Sequence, residues 1–186
     1  MALLQKSPDK LITGEELLRM PDLGPCELVD GRIVPMTPPG DEHSDIEAEL
    51  VTRLRLYGKE SKRGRAVSGD AGIYIRRNPD TVRGADVLFI SKERDSQPRK
   101  KGYFKVAPEL VVEVLSPDHR PGQLREKLRD YFSVDVKVVW VVDPKARCVF
   151  VYRSLTDITE LGVGQALADE ELLPGFSLPV SDLFSG

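Results

Sequence analysis

A short apolar run near the middle of the chain limits what the chain can fold into. Five of the six residues from Leu110 to Leu115 are aliphatic, a pattern typical of a strand that is covered on both faces. The sixth residue is Glu113. A carboxylate buried in such a strand is costly unless it is protonated, paired with a cation or bound to a metal ion. The run therefore predicts a central strand and requires a partner for Glu113.

Composition alone leaves two interpretations of Glu113 open. In the first, the end of the strand is wet and Glu113 forms an ordinary salt bridge. In the second, Glu113 is a metal-binding or acid–base carboxylate, and a second acid elsewhere must support it. The candidate is Asp86, because it begins a similar apolar run that ends at Ile90.

Turn and helix signals place further elements around this strand. Asp30-Gly31 separates two strand-like runs, which predicts an N-terminal β-hairpin with a type I′ turn. The capping-box pattern from Thr13 to Glu16 predicts a short helix that ends near Met20. Apolar residues at helical spacing predict two longer helices, at about residues 41–57 and 123–132.

The remaining apolar runs alternate irregularly with these helices. Strands are predicted at residues 65–68, 73–75, 86–90, 136–142, 148–152, 158–161 and 165–168, and a polar loop at residues 91–102. The pattern favours an α/β (mixed α+β) fold in which a central mixed β-sheet is flanked by helices. The first two strands form the hairpin and the last form a C-terminal β-meander, all within a single domain over residues 1–186.

Length and composition are those of a globular protein. The 186 residues are 40% apolar and 31% charged with a net charge of −3, and no apolar run approaches the ~20 residues of a membrane span. The apolar run at the start of the sequence is shorter than the apolar region of a signal peptide, which predicts a cytoplasmic protein. Cys26 and Cys148 lie in strand-like runs without a CxxC motif, so buried thiols are expected rather than zinc or a disulfide.

The acidic balance argues against a surface that coats nucleic acid broadly. For each of two clusters of basic residues, two interpretations remain open: a local basic patch or an ordinary solvated loop. These clusters are Lys59, Lys62, Arg63 and Arg65, and then Arg94, Arg99, Lys100 and Lys101.

Helix geometry leaves the cation partner of Glu113 unresolved. At about 100° per residue, Lys127 and Arg125 fall on opposite borders of the apolar face of the 123–132 helix. Either could reach a carboxylate at the end of the sheet, and either could extend to water. His43 is likewise either a hydrogen-bonded structural residue or a catalytic one. Glu27 alternates with Leu28, so it is either solvated or directed into a cleft.

Two carboxylates at neighbouring strand ends repel one another, and a divalent cation removes that repulsion. Oxygen ligands suit magnesium or manganese rather than zinc. Such a cation lowers the pKa of bound water and stabilises charge on a phosphoryl oxygen, and a nearby lysine can hold the scissile phosphate. The pattern therefore points to metal-assisted phosphoryl chemistry.

Several motifs occur in the order found in a known family. They are Glu27-Leu28-Val29-Asp30-Gly31-Arg32-Ile33-Val34-Pro35-Met36, His43, Ala85-Asp86-Val87, Glu113-Val114-Leu115-Ser116-Pro117, Lys127, Tyr131 and Trp140-Val141-Val142-Asp143-Pro144. Over roughly residues 12–184 the chain resembles the bacterial Uma-type "putative restriction endonuclease" family. That family belongs to the restriction-endonuclease-like superfamily with the PD-(D/E)xK motif.

The resemblance implies metal ligands at the ends of two adjacent strands of a restriction-endonuclease-like sheet. Asp86 and Glu113 match the acidic ligands for Mg²⁺ or Mn²⁺, and the backbone carbonyl of Val114 completes the implied site. Lys127 matches the lysine of the following helix. The implied activity is that of a metal-dependent endonuclease that hydrolyses DNA phosphodiester bonds.

Glu27 and His43 match further motif positions that face the same cleft. The resemblance leaves three roles open for them, as an outer ligand, a water-orienting group or a phosphate contact.

Three positions depart from the superfamily motif. Ala85 replaces the proline, Leu115 stands where the strand lysine is usual, and Gln123 replaces an acid that often precedes the helix lysine by four residues. The absence of the strand lysine keeps an alternative open, a catalytically impaired module that binds nucleic acid or assembles with protein.

Endonucleases that cut both strands usually act as symmetric pairs, which predicts a homodimer. Val149, Val151 and Tyr152 are the candidates for an exposed sheet edge at its interface.

Overall fold

The computed structural model describes residues 10–20, 23–96, 102–117 and 120–185. Its helices are α1 (Gly14–Leu17), α2 (Asp41–Ser61) and α3 (Pro121–Ser133), and a 3₁₀ helix spans Val180–Phe184. Its strands are β1 (Cys26–Val29), β2 (Arg32–Pro35), β3 (Gly64–Arg76), β4 (Thr81–Ser91), β5 (Leu110–Val114), β6 (Val138–Asp143), β7 (Cys148–Tyr152), β8 (Ile158–Gly162), β9 (Ala166–Leu167) and β10 (Leu178–Pro179).

Eight strands form one mixed sheet in the order β2-β1-β4-β5-β6-β7-β8, with β3 paired to β4. β5 and β6 run parallel, and the other neighbours in this sheet pair antiparallel. The predicted central mixed sheet flanked by helices is confirmed, together with the β1–β2 hairpin and the β6–β8 meander. Asp30 and Gly31 both have positive φ, at 49° and 71°, as a type I′ turn requires.

The two faces of the sheet carry separate hydrophobic cores. α2 covers one face through Ile46, Leu50 and Leu54, which pack with Trp140 and with the C-terminal residues. α3 covers the other face through Leu128 and Tyr131. All five positions of β5 are buried because it lies between the two layers, which is why its sequence is almost continuously apolar.

The sheet branches at β4, because one edge of this strand pairs with one strand and the other edge pairs with two. One edge of β4 pairs with β3, from Thr81 to Ser91. The other edge pairs with β1 at Val82 and with β5 only from Val87 onward. Residues 83–86 therefore face a gap between β1 and β5, where none of the described strands completes their backbone hydrogen bonds.

Two predictions about strands were wrong. The runs at 65–68 and 73–75 belong to one strand, β3, because a bulge between Ser68 and Ala71 absorbs the glycines without ending the pairing. The run near residues 165–168 does not extend the meander, because β9 pairs with β10 in a separate two-stranded sheet.

The expected exposed edge at Val149, Val151 and Tyr152 was also wrong. β7 lies between β6 and β8, so its backbone is paired on both sides, and Val149 and Val151 are buried in the core.

Within the described residues, no helix is long and apolar enough to cross a bilayer. One side chain from each cluster of basic residues forms ion pairs within the fold. Arg65 pairs with Asp95, and Arg94 pairs with Glu109 and Asp135. Arg99, Lys100 and Lys101 lie outside the described residues.

Candidate active site

Side chains complete the backbone hydrogen bonds that the gap beside β4 leaves open. The Gly84 N–H donates to Glu27 Oε1 at 3.0 Å. The Gly84 carbonyl accepts from Lys127 Nζ at 3.1 Å and has the Tyr131 hydroxyl at 3.2 Å. Because buried backbone groups must be satisfied, this gap brings β1 and α3 together around one residue of β4.

Asp86 lies in the same gap and links β4 to the end of β5. Its Oδ2 accepts the Val114 N–H at 2.6 Å and lies 3.5 Å from His43 Nε2 on the first turn of α2. No described residue donates a hydrogen bond to its other oxygen. The Val114 contact runs through the amide, so a ligand role for the Val114 carbonyl stays a prediction.

Glu113 is held by two donors from α3. Its Oε1 accepts from the Tyr131 hydroxyl and its Oε2 from Lys127 Nζ, each at 2.6 Å. Burial raises the pKa of Glu113 to about 7, the negative charge of Asp86 acts in the same direction, and Lys127 and Tyr131 oppose them. A carboxylate in this position is stabilised in its charged form by any additional positive charge.

Lys127 lies between two carboxylates. Its Nζ is 2.6 Å from Glu113 and 3.3 Å from Glu27 Oε1, and the side chain is 18% exposed. Burial alone would lower its pKa, but Glu113 and Glu27 hold the pKa above its usual value, so the ammonium stays charged. The choice that the helix pattern left open falls to Lys127, because Arg125 is exposed on α3.

Glu27 is buried behind Lys127 and does not open onto solvent. Its Oε2 pairs with the buried Arg83 guanidinium at 2.8 Å, and Arg83 Nε reaches Asp130 on α3 at 2.7 Å. Burial alone would raise the pKa of Glu27, yet Lys127, Arg83 and the Gly84 N–H together hold it below its usual value. Glu27 is therefore a buried carboxylate with partners on both of its oxygens.

His43 has one nitrogen facing Asp86 and one that has no hydrogen-bond partner among the described residues. Its Nδ1 is buried and makes no hydrogen bond to any described residue. The contact with Asp86 raises the pKa of His43 against the opposing effect of burial. This arrangement favours a proton on Nε2 that points to Asp86.

Two further acids, which sequence reasoning did not select, lie near Asp86. Glu47, one turn after His43, accepts the Gly69 N–H at 2.9 Å, and its pKa is raised by burial and by Asp86. Asp70 lies on the bulge of β3, and the same two causes raise its pKa. The Gly69-Asp70 sequence marks the bulge, but nothing local indicates that the bulge lies beside Asp86.

Arg83 was also missed as part of this region, whereas Tyr131 was among the motif positions of the resemblance but was given no role in the site. The only available signal for Arg83 was its position in the sequence close to the Asp86 run. The structure therefore brings Asp86, Glu113 and Lys127 together, with Glu27 and His43 around them. The residue patterns had already paired Asp86 with Glu113, whereas the choice of Lys127 and the placement of Glu27 and His43 came from the resemblance.

The central mixed sheet flanked by helices is the architecture expected of a restriction-endonuclease-like nuclease, and the comparisons with known proteins agree with that class. The family model named Uma2, described as "Putative restriction endonuclease", matches residues 15–181, and the chain belongs to that family.

One solved structure supports the fold assignment. The chain is similar to the crystal structure of a "putative nuclease belonging to DUF820" from Anabaena variabilis, with 24% identity over 94% of this chain and 98% of that one, and a TM-score of 0.78. At this identity the likeness establishes the fold alone. No curated protein matches the chain.

Proposed function

We propose that this chain is a metal-dependent endonuclease that hydrolyses DNA phosphodiester bonds. The observation that carries the proposal is the convergence of Asp86, Glu113 and Lys127 in the gap beside β4. Two acids and a charged lysine at one point are the groups that phosphodiester hydrolysis with a divalent cation needs. Membership of the Uma2 family supports the nuclease class.

The donor set around Asp86 and Glu113 fits a hard divalent cation. Both donors are carboxylates, and their mutual repulsion contributes to the raised pKa of Glu113. The described residues contain no group of three or more His, Cys, Asp and Glu side chains arranged to hold a metal ion. Magnesium is compatible with such a site, because it is usually bound through one or two carboxylates and keeps several waters.

In this proposal Asp86 and Glu113, with the Val114 carbonyl, hold Mg²⁺ or Mn²⁺. When bound, such a cation stabilises negative charge on a phosphoryl oxygen and increases the acidity of water. Lys127 contributes a positive charge at a fixed point, which orients the scissile phosphate or the attacking water. Lys127 takes the place of the usual strand lysine, whose position is occupied by Leu115 in this chain.

Glu27 and His43 act as positioning residues rather than as ligands. Glu27 is buried behind Lys127, where its negative charge holds the ammonium in place and helps to keep it charged. His43 contacts Oδ2 of Asp86, and we assign it the orientation of that carboxylate.

The decisive experiment measures nicking of supercoiled plasmid by purified protein with Mg²⁺ or Mn²⁺ and with a chelator. We expect cation-dependent nicking that Asp86→Asn and Glu113→Gln abolish. The matched control is Asp157→Asn, since Asp157 is exposed in the turn before β8. Nicking that survives both site substitutions, or that ignores the chelator, refutes the proposal.

A non-catalytic nuclease-fold module is the alternative, favoured by the absence of the strand lysine at Leu115. Calorimetric titration separates the two. Cation uptake by wild type that is lost in Asp86→Asn supports the enzyme, whereas no uptake together with a stable protein or nucleic-acid complex supports the module.

We further propose a homodimer, because endonucleases that cut both DNA strands usually act as symmetric pairs. Since β7 is interior, the available edges among the described strands are β2, β8 and β3, each of which pairs with a single strand of the sheet. Light scattering at micromolar concentration tests this, and a strict monomer contradicts it.

A further inference from the structure

Tyr131 lies in a hydrophobic core, and its hydroxyl contacts a carboxylate there. Its side chain is fully buried among the apolar residues of α3 and the sheet. Its hydroxyl lies 2.6 Å from Glu113 Oε1 and 3.2 Å from the Gly84 carbonyl. A phenol has one proton to donate. The Glu113 carboxylate is both the closer and the stronger acceptor, so Tyr131 donates its hydrogen bond to Glu113.

Tyr131 and Lys127 act on Glu113 as a pair. They are four residues apart on α3 and so lie on the same face of the helix. Lys127 contacts Oε2 of Glu113 and Tyr131 contacts Oε1, and both side chains also reach the Gly84 carbonyl. With a donor on each oxygen from one rigid helix, the Glu113 carboxylate cannot rotate without losing a hydrogen bond.

These two hydrogen bonds leave Glu113 able to accept further contacts. Each carboxylate oxygen has about two lone-pair positions, and the hydrogen bonds from Tyr131 and Lys127 use one on each oxygen. Carboxylates that ligate metal ions are commonly oriented by hydrogen bonds from groups that do not touch the metal.

We propose that Tyr131 is a positioning residue that fixes the orientation of Glu113 for divalent-cation binding. The inference rests on the proposed function and deepens it, since it names a residue outside the cation's own ligands on which affinity depends. A packing role alone would make the hydroxyl dispensable, because phenylalanine fills the same space.

The test is calorimetric titration of Mn²⁺ and Mg²⁺ into wild type, Tyr131→Phe, Glu113→Gln and Tyr152→Phe. Tyr152 is a matched control, since its ring packs against the same core cluster from β7. We expect Tyr131→Phe to bind the cation about 10–100-fold more weakly than wild type. We expect Tyr152→Phe to match wild type and Glu113→Gln to lose uptake.

A second measurement separates positioning from simple destabilisation. Nicking by Tyr131→Phe should recover as the Mn²⁺ concentration rises, whereas nicking by Glu113→Gln should not. Equal cation affinity in wild type and Tyr131→Phe overturns this inference and leaves the proposed function standing. No cation uptake by wild type overturns both.

Discussion

Replacing Arg83 by methionine tests how the buried charges beneath the site contribute to stability. The Arg83 side chain is 8% exposed and pairs with Glu27, which is 6% exposed, at 2.8 Å. Methionine fills similar hydrocarbon space but leaves Glu27 without this partner. Removing one partner of a buried ion pair costs about 3–5 kcal/mol. We expect a loss near 3 kcal/mol, because Lys127 and the Gly84 N–H still contact Glu27.

The assay is urea unfolding at neutral pH, supported by thermal melts. At roughly 2–4 °C per kcal/mol for a chain of this size, the melting temperature should fall by about 6–12 °C. The matched control is Arg76→Met. Arg76 also pairs with Asp130 but is 43% exposed, so its loss should cost only about 0–1 kcal/mol.

A double variant completes the test. Glu27→Gln in the Arg83→Met background removes the uncompensated charge and should recover part of the lost stability. The reasoning fails if Arg83→Met and Arg76→Met lose the same small amount, or if the double variant is as unstable as the sum of its parts.

Three further predictions use matched pairs. Because the pKa of Glu27 lies below its usual value of 4.5, its charge stabilises the fold above that pH and this contribution is lost as pH falls through the lower folded value. Urea unfolding from neutral to acidic pH should therefore show a shallower loss in Glu27→Gln, and parallel curves would contradict this. Lys127→Met should abolish plasmid nicking while Arg125→Met retains it; the opposite result would move the catalytic cation to Arg125. Leu50→Ala should cost about 2–5 kcal/mol in urea unfolding because Leu50 is fully buried, whereas Leu56→Ala, 50% exposed on the same helix, should change stability by about 0.5 kcal/mol or less.

Local patterns predicted the elements that have local causes. The apolar run around Glu113 marks a strand that is buried on both faces, and it is the fully buried β5. Asp30-Gly31 marks the hairpin because its turn needs two residues that tolerate positive φ. Both signals depend on neighbours in the chain, so a single sequence contains them.

The arrangement around the gap could not be predicted in this way. β4 begins at Thr81, five residues before the predicted strand, because Arg83 and Gly84 do not form an apolar run. They belong to the strand because β3 pairs with one edge and buried side chains satisfy the other. Periodicity indicates which face a residue occupies, but the separation of β1 from β5 depends on pairing between distant segments.

The choice of Lys127 and the assignment of Glu27 had different origins. Helix geometry allowed Arg125 equally, and only the resemblance selected Lys127. Burial of Glu27 behind Lys127 depends on Arg83, whose role no local pattern indicated.

The gap in the sheet ties chemistry to folding. Glu27 and Lys127 make hydrogen bonds to backbone groups of β4 that would otherwise be buried without partners, so both are kept by the demands of the scaffold as well as by any reaction. A relative that had abandoned hydrolysis would still be under pressure to retain them. Their presence in a homologue is consequently weak proof of an active enzyme, and the Asp86 carboxylate, with one oxygen that no described residue satisfies, is the more informative position to compare.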